Sequence, residues 1–350
     1  MTLSVENKKT IGVVGAGSFG TTIANLLSQS RRVLLYSRQP ALVERVNTEH
    51  RHFDLDLNEN IVATTDLEEL AQQCHLIFLI VPSSNFRSMM KDLSPFLHPY
   101  HLLIHGTKGF DITGIPESEL STKPFNRSNV HTMSEVIAQE SSVVRIGCLS
   151  GPNLASEIMA GQPAATVIAS KFSEVIKKGR NALDSSQFHV FGTHDLLGAE
   201  LAGALKNAIA IGSGILGGLG MGKNIQALLL TRGLMEMIYF GKAMGAKSTA
   251  FVGTAGIGDL IATATSEDSR NYSFGKRLAT GESLESIQKT MPELAEGVRT
   301  IAITNQLAKI YKLHAPITMT LYKVVFEGLE IKKAMGYLMD YPYDVDVNFI

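Results

Sequence analysis

Short apolar runs alternate with helix-period segments through the first half of the chain. Runs rich in Val, Ile and Leu at 10–14, 33–36, 76–81, 102–105, 145–149, 164–169 and 188–191 predict strands. Between them, 20–28 and 66–73 read as crossover helices. Near-continuous apolar strands alternating with helices are the pattern of an α/β protein with a doubly wound parallel sheet covered on both faces. From about Leu196 the strand pattern stops, and Leu197, Leu201, Leu205 and Ile209 recur every fourth residue, so the second half reads as all-helical. Gly192-Thr193-His194-Asp195 supplies a turn and a helix N-cap, which places the boundary between domains 1–195 and 196–350. Residues 123–140 are polar, with Pro124, Asn126 and Asn129, and read as a surface insertion on the sheet domain. No internal repeat is visible.

With 350 residues, 45% apolar and 19% charged, the chain has enough core for two globular domains and little room for long disorder. Lys and Arg number 32 against 33 Asp and Glu, so no global field exists to hold nucleic acid or an anionic membrane. Any bound anion must be held locally. Cys74 and Cys148 lie in strand-like apolar contexts, which argues against a disulfide and for a reducing, cytoplasmic compartment. Residues 1–9 are polar, with no signal-peptide core, and no membrane span or metal site is expected. The 31 glycines are the unusual entry in the composition. They cluster at 15–20, 203–222 and 253–258, and read as backbone access for ligands.

Gly15-Ala16-Gly17-Ser18-Phe19-Gly20 is a G-x-G-x-x-G that follows the first strand and opens a helix. That context, more than the spacing, favours a dinucleotide site of the Rossmann type, in which the glycines let the backbone approach a pyrophosphate at a helix N-terminus; a tight structural turn is the plain alternative. At the tip of the second strand stand Ser37 and Arg38, where an NAD site carries an acidic residue for the ribose, so NADPH is favoured over NADH, with a solvated strand-end charge the alternative for Arg38. Pro82 ends the strand 76–81, and Phe86 either lies against the cofactor or packs its helix. In His105-Gly106-Thr107-Lys108-Gly109 a lysine sits between glycines at the carboxyl end of a strand, where open α/β sheets bind ligands.

In the second half, Lys206 and Asn207 interrupt an apolar helix, and no carboxylate stands three or four residues from Lys206. Such a lysine either snorkels to solvent or is desolvated, with its pKa lowered toward an acid–base range. The sixteen residues 207–222, with no charge and six glycines, favour the desolvated reading. Gly253-Thr254-Ala255-Gly256-Ile257-Gly258-Asp259 ends on a single carboxylate that is either a turn residue or the partner of a lysine. Arg270 falls at the start of a helical pattern at 272–279, where the macrodipole disfavours a cation. A bound anion reverses that penalty, so Ser269, Arg270 and Asn271 form a candidate phosphate pocket; an exposed arginine is the plain alternative.

The 15–20 motif, Thr107-Lys108-Gly109, Ser150-Gly151-Pro152-Asn153, Gly203-Ala204-Leu205-Lys206-Asn207, Gly256-Ile257-Gly258-Asp259-Leu260, Ser269-Arg270-Asn271 and Glu296-Gly297 together resemble the soluble NAD(P)-dependent glycerol-3-phosphate dehydrogenases, over nearly the whole chain. The resemblance implies reversible reduction of dihydroxyacetone phosphate to sn-glycerol 3-phosphate, for glycerophospholipid synthesis, by a bacterial-type cytoplasmic enzyme. It implies Lys206 as the proton donor and acceptor, supported by Asp259 and Asn207, with Lys108 at the junction of substrate and cofactor. Cofactor contacts would fall on Gly15, Gly17, Ser18, Phe19, Gly20, Arg38, Phe86, Lys108, Ala155, Arg270, Leu294 and Glu296. Substrate contacts would fall on Lys108, Gly151, Asn153, Lys206, Asp259, Ser269, Arg270 and Asn271. Asn153 stands where bacterial members usually carry Thr or Ser, and Phe19 where Trp or Tyr is frequent.

Both lines lead to one scheme, in which Lys206 protonates the oxygen of a carbonyl receiving hydride and Arg270 anchors the remote phosphate. Two rivals are a ketopantoate-type reductase, which the Ser269-Arg270-Asn271 group argues against, and a non-catalytic dinucleotide-binding regulator. The partner is a small molecule. The apolar, glycine-rich run 203–241 also suggests a homodimer.

Overall fold

A computed structural model describes residues 10–53, 55–291 and 295–340. The polar stretch 1–9 and Leu294 lie outside the described residues. Eight strands form one sheet, in the spatial order Phe188–Thr193, Ala164–Ser170, Arg145–Ser150, Leu102–His105, Leu76–Leu79, Ile11–Val14, Val33–Tyr36 and Ile61–Thr64. Ile11–Val14 pairs in parallel with Val33–Tyr36 on one side and Leu76–Leu79 on the other. Chain order reverses there, so the turn after Val14 sits at the switch point where open α/β sheets bind ligands.

The central strands alternate between two buried faces, while the edge strand Phe188–Thr193 exposes one of its own. Val13, Leu35, Phe78 and Ile104 enter one apolar cluster, while Val14, Leu34, Leu79 and Leu103 enter the other. This is why the runs read as continuous apolar segments. The strand Ile61–Thr64, absent from the sequence reading, extends the sheet beyond Val33–Tyr36. Gly192 and Thr193, expected in a turn, are the last residues of a strand, and the bend falls at His194.

The described residues divide into two compact units. One runs to Thr107 and takes in Met133–Leu149 and Ala155–Leu196; the other takes Lys108–Thr132, Ser150–Leu154 and the residues from Leu197 onward. Residues 123–140 therefore form no surface insertion. Phe125 and Val130 are buried in the core of the second unit, and Met133, Val136 and Ile137 in that of the first. From Leu197 onward the described residues of the second unit are helical, and its earlier segment carries a two-stranded hairpin, Asp111–Ile112 with Val130–His131.

At its centre runs the helix Leu196–Gly218. Its length and hydropathy match a membrane span, yet 89% of its apolar window is buried inside the protein. The helix is covered on almost every side rather than along one stripe. Its glycines explain how. A Cβ on Gly214 would lie 2.0 Å from the Tyr272 carbonyl oxygen, and one on Gly275 would lie 2.0 Å from that of Ile211. These glycines let two helices touch backbone to backbone; those at 212–218 serve packing, not ligand access.

Candidate active site

In the sheet unit, the glycine turn has the shape a dinucleotide needs. Gly15 has φ +110°, and a Cβ there would sit 2.1 Å from the Ile80 carbonyl oxygen. On Gly20 it would sit 1.9 Å from that of Gly15. Neither position accepts a side chain. The helix Ser18–Ser28 starts from Gly17 with no side-chain cap and no acidic residue in its first turn, so its end N–H groups can receive a pyrophosphate. Phe19 is half-buried against Gly106 at the end of a neighbouring strand.

One residue that the sequence reading missed holds this turn. His52 Nε2 lies 2.9 Å from the Ala16 carbonyl oxygen, and Arg45 Nη2 lies 3.4 Å from its Nδ1. A carbonyl only accepts, so Nε2 carries the hydrogen. Burial lowers the His52 pKa; the bond to Ala16 opposes this and Arg45 adds to it, so the ring is held neutral. No motif signals His52, since its partner is 36 residues away.

Arg38 is exposed beyond the buried Ser37, and no carboxylate occupies Ser37 or Arg38 at that strand tip. Phe86 is fully buried among Leu79, Met90 and Leu103, edge-on to His105, and has no surface to offer a cofactor. Of the two readings the sequence left open, this burial favours packing of its helix. Ala155 and Glu296 are half-buried first residues of their helices.

In the helical unit, three charges separated in sequence converge. Lys206, 4% exposed, donates from Nζ to Asp259 Oδ1 at 2.8 Å and also to Thr263 Oγ1. Lys108 Nζ donates to Asp259 Oδ2 at 2.7 Å and to the Gly151 carbonyl at 2.8 Å. One carboxylate, 1% exposed, thus bridges two ammonium groups. Burial pushes the Asp259 pKa up, but Lys108 and Lys206 outweigh it and leave the group below its usual range. Burial pulls Lys206 down, Asp259 pulls it back up, Lys108 pulls it down again, and the net value is about 8. Such an amine exchanges its proton near neutral pH. Thr263, on the same helix one turn after Asp259, completes the lysine's shell. It too was missed, although its spacing from Asp259 carried the signal.

Behind this pair runs a buried amide chain. Asn207 Nδ2 donates to the Lys108 carbonyl at 3.0 Å, Asn271 Nδ2 to Asn207 Oδ1 at 2.9 Å, and the Gly297 N–H to Asn271 Oδ1 at 2.9 Å. Arg270, exposed, opens the helix Arg270–Ala279, capped by Ser269 Oγ accepting from the Tyr272 N–H at 3.3 Å. Its guanidinium therefore stands at the positive end of a helix with no acidic first-turn residue. An anion suits that place. Asn153 is half-buried after the left-handed Gly151.

Comparison with known proteins shows what this arrangement belongs to. Residues 10–176 match the family model of the NAD-dependent glycerol-3-phosphate dehydrogenase N-terminus, and 195–336 that of its C-terminus. The chain belongs to the NAD-dependent glycerol-3-phosphate dehydrogenase family. Among named relatives of this family, it is 36% identical to a glycerol-3-phosphate dehydrogenase [NAD(P)+] of Saccharophagus degradans, over 99% of this chain and 94% of the relative. It is 37% identical to one of Carboxydothermus hydrogenoformans, over 97% and 98%. The crystal structure of glycerol-3-phosphate dehydrogenase from Coxiella burnetii superposes with a TM-score of 0.84 at 29% identity, covering 95% of this chain and 99% of that one. The chain is thus an NAD(P)-dependent oxidoreductase of the glycerol-3-phosphate dehydrogenase family, and the rival ketopantoate and regulator readings fall away.

Proposed function

We propose that the enzyme reduces dihydroxyacetone phosphate to sn-glycerol 3-phosphate in the cytoplasm, supplying glycerophospholipid synthesis, with NADPH preferred over NADH. The observation that carries this reading is the buried Lys206, held by Asp259 and poised near neutral pH. A nicotinamide cofactor, once held at the glycine turn, would supply the hydride for the substrate's C2 carbonyl carbon. Lys206, as ammonium, stabilises the charge that builds on the carbonyl oxygen and gives it a proton. Asp259 and Thr263 fix the direction in which Nζ points, and Asn207 fixes the backbone of Lys108, which contributes a second positive charge. Arg270 takes the substrate phosphate and converts its binding energy into positioning. Ser269 and Asn271, engaged as helix cap and amide link, hold Arg270 in place. Gly15, Gly17, Ser18, Phe19 and Gly20 cradle the cofactor pyrophosphate, and Arg38 takes a 2′-phosphate.

The phosphorylated substrate and cofactor, and two buried free cysteines, support a cytoplasmic site. A homodimer is supported by the partly exposed Leu219, Met221 and Leu228 beside the core helix. Sedimentation showing a monomer at micromolar concentration would remove that part. The decisive experiment is loss of NADPH absorbance on adding dihydroxyacetone phosphate. No oxidation with this substrate overturns the reading.

A further inference from the structure

A second buried cation stands behind Lys108. Arg299 lies inside the helix Glu296–Tyr311 and is 8% exposed. Its Nη1 donates to the Phe110 carbonyl at 2.7 Å and its Nε to Glu117 Oε1 at 2.5 Å. Both acceptors lie on the segment that begins at Lys108, and Phe110 itself is buried in the core. We propose that Arg299 is a positioning residue: by holding Phe110 and Glu117 it fixes the backbone from which Lys108 reaches Asp259.

The physical case rests on reach. A lysine ammonium sits on a flexible four-carbon stem, so its location is set by where the backbone is anchored and by what the head group meets. Lys108 Nζ meets Asp259 and the Gly151 carbonyl, both at hydrogen-bond distance. Its backbone is tied at Lys108 by Asn207 and, two residues on, by Arg299. The planar guanidinium suits this task because two of its N–H groups address two acceptors at fixed angles, with charge-assisted strength. Without it, the buried Phe110 carbonyl loses a strong donor and the turn Glu117–Glu119 loses its attachment to the helix.

The consequence reaches Lys206 through charge. The titratable groups that face Lys206 are Asp259 and Lys108. A displaced Lys108 removes a like charge from beside Lys206 and leaves more of the Asp259 charge to it. Both changes favour the protonated amine.

The inference rests on the reading of Lys206 as proton donor, and its test separates the two. Arg299→Lys keeps a cation but loses the fork, and Glu117→Ala removes only the half-exposed partner, so one folded variant is secured. The expected result is a fall in kcat on the order of ten-fold for Arg299→Lys, with a smaller fall for Glu117→Ala and unchanged NADPH binding. The Lys206 titration midpoint, read by NMR of 13C-labelled lysine in the intact enzyme, moves to higher pH in both. The NMR midpoint needs no turnover, so it tests the strut even if the proposed substrate fails. A folded Arg299→Lys enzyme with an unmoved Lys206 midpoint overturns the inference, whether or not kcat has fallen.

Discussion

Lys206 and Asp259, 53 residues apart in the chain, meet at 2.8 Å with both side chains withdrawn from solvent. The pairing makes the lysine usable as an acid: burial alone would neutralise it, and the carboxylate restores enough positive charge to leave its pKa at about 8. Reduction draws on the ammonium form, so its rate falls as pH rises through about 8. Oxidation of glycerol 3-phosphate draws on the neutral amine and rises over the same interval. Lys206→Ala is expected to abolish turnover in both directions while NADPH, titrated by the change in its own fluorescence, still binds. A variant retaining near-normal turnover would contradict the role.

Asp259→Asn removes the charge that both lysines share. Lys108 and Lys206 then face each other with no carboxylate between them, and removing one partner of a buried ion pair costs about 3–5 kcal/mol. Urea unfolding of the variant is expected to show a loss of that order. In whatever folded enzyme remains, Lys206 loses the carboxylate that raises its pKa, so the alkaline limb of reduction shifts to lower pH. A loss below about 1 kcal/mol would mean that the pair is screened as at a surface.

Much of the sheet was legible because its strands carry buried residues on both faces, and seven runs fell within a few residues of the observed strands. Ile61–Thr64 escaped because its apolar run, Ile61-Val62-Ala63, is only three residues long, short of the run or alternation that marks a strand. The segment Lys108–Thr132 was misplaced because Phe110, Leu120, Phe125 and Val130 enter the second core without any period. At the site, motif residues were legible one by one, yet their pairings were not. Arg299 reaches 189 residues back to Phe110, and nothing in a helix interior marks such a contact. The glycines at 212–218 were read as ligand access because composition does not distinguish a close ligand from a close helix.

Arg270 is the first residue of its helix, at the end whose N–H groups and dipole favour an anion. Arg270→Ala should raise the KM for dihydroxyacetone phosphate by at least about ten-fold, given the strength of a charge-assisted contact. Turnover of unphosphorylated dihydroxyacetone should change little. Equal losses on the two substrates would show that Arg270 acts on something other than the phosphate.

The strand tip at Ser37 and Arg38 offers a cation and no carboxylate for the ribose. Arg38→Asp should therefore lower kcat/KM with NADPH, on the order of ten-fold or more, and raise it with NADH. Steady-state kinetics with both cofactors read the ratio directly. An unchanged ratio would assign Arg38 to the solvated surface.

Glu236 makes a prediction away from the active site. It is buried in the helix Lys223–Ala243 and accepts hydrogen bonds from the Ile317 N–H at 2.6 Å, the Thr318 N–H at 2.9 Å and Thr318 Oγ1 at 2.8 Å, closing the N-terminus of the helix Pro316–Phe326. Burial raises its pKa from 4.5 to about 7 against the pull of those bonds. Below pH 4.5 the folded and unfolded carboxyls are both protonated. Between 4.5 and about 7 the unfolded carboxyl ionises while the folded one keeps its proton, so the native state binds more protons and this group's contribution falls as pH rises. Over that interval the loss amounts to about 3 kcal/mol. Glu236→Gln cannot ionise, so the stability advantage of wild type over the variant should shrink by about that amount between pH 4.5 and 7, measured by urea unfolding. A difference that stays constant across this range would show that the carboxyl keeps an ordinary pKa when folded, with the three donors outweighing burial.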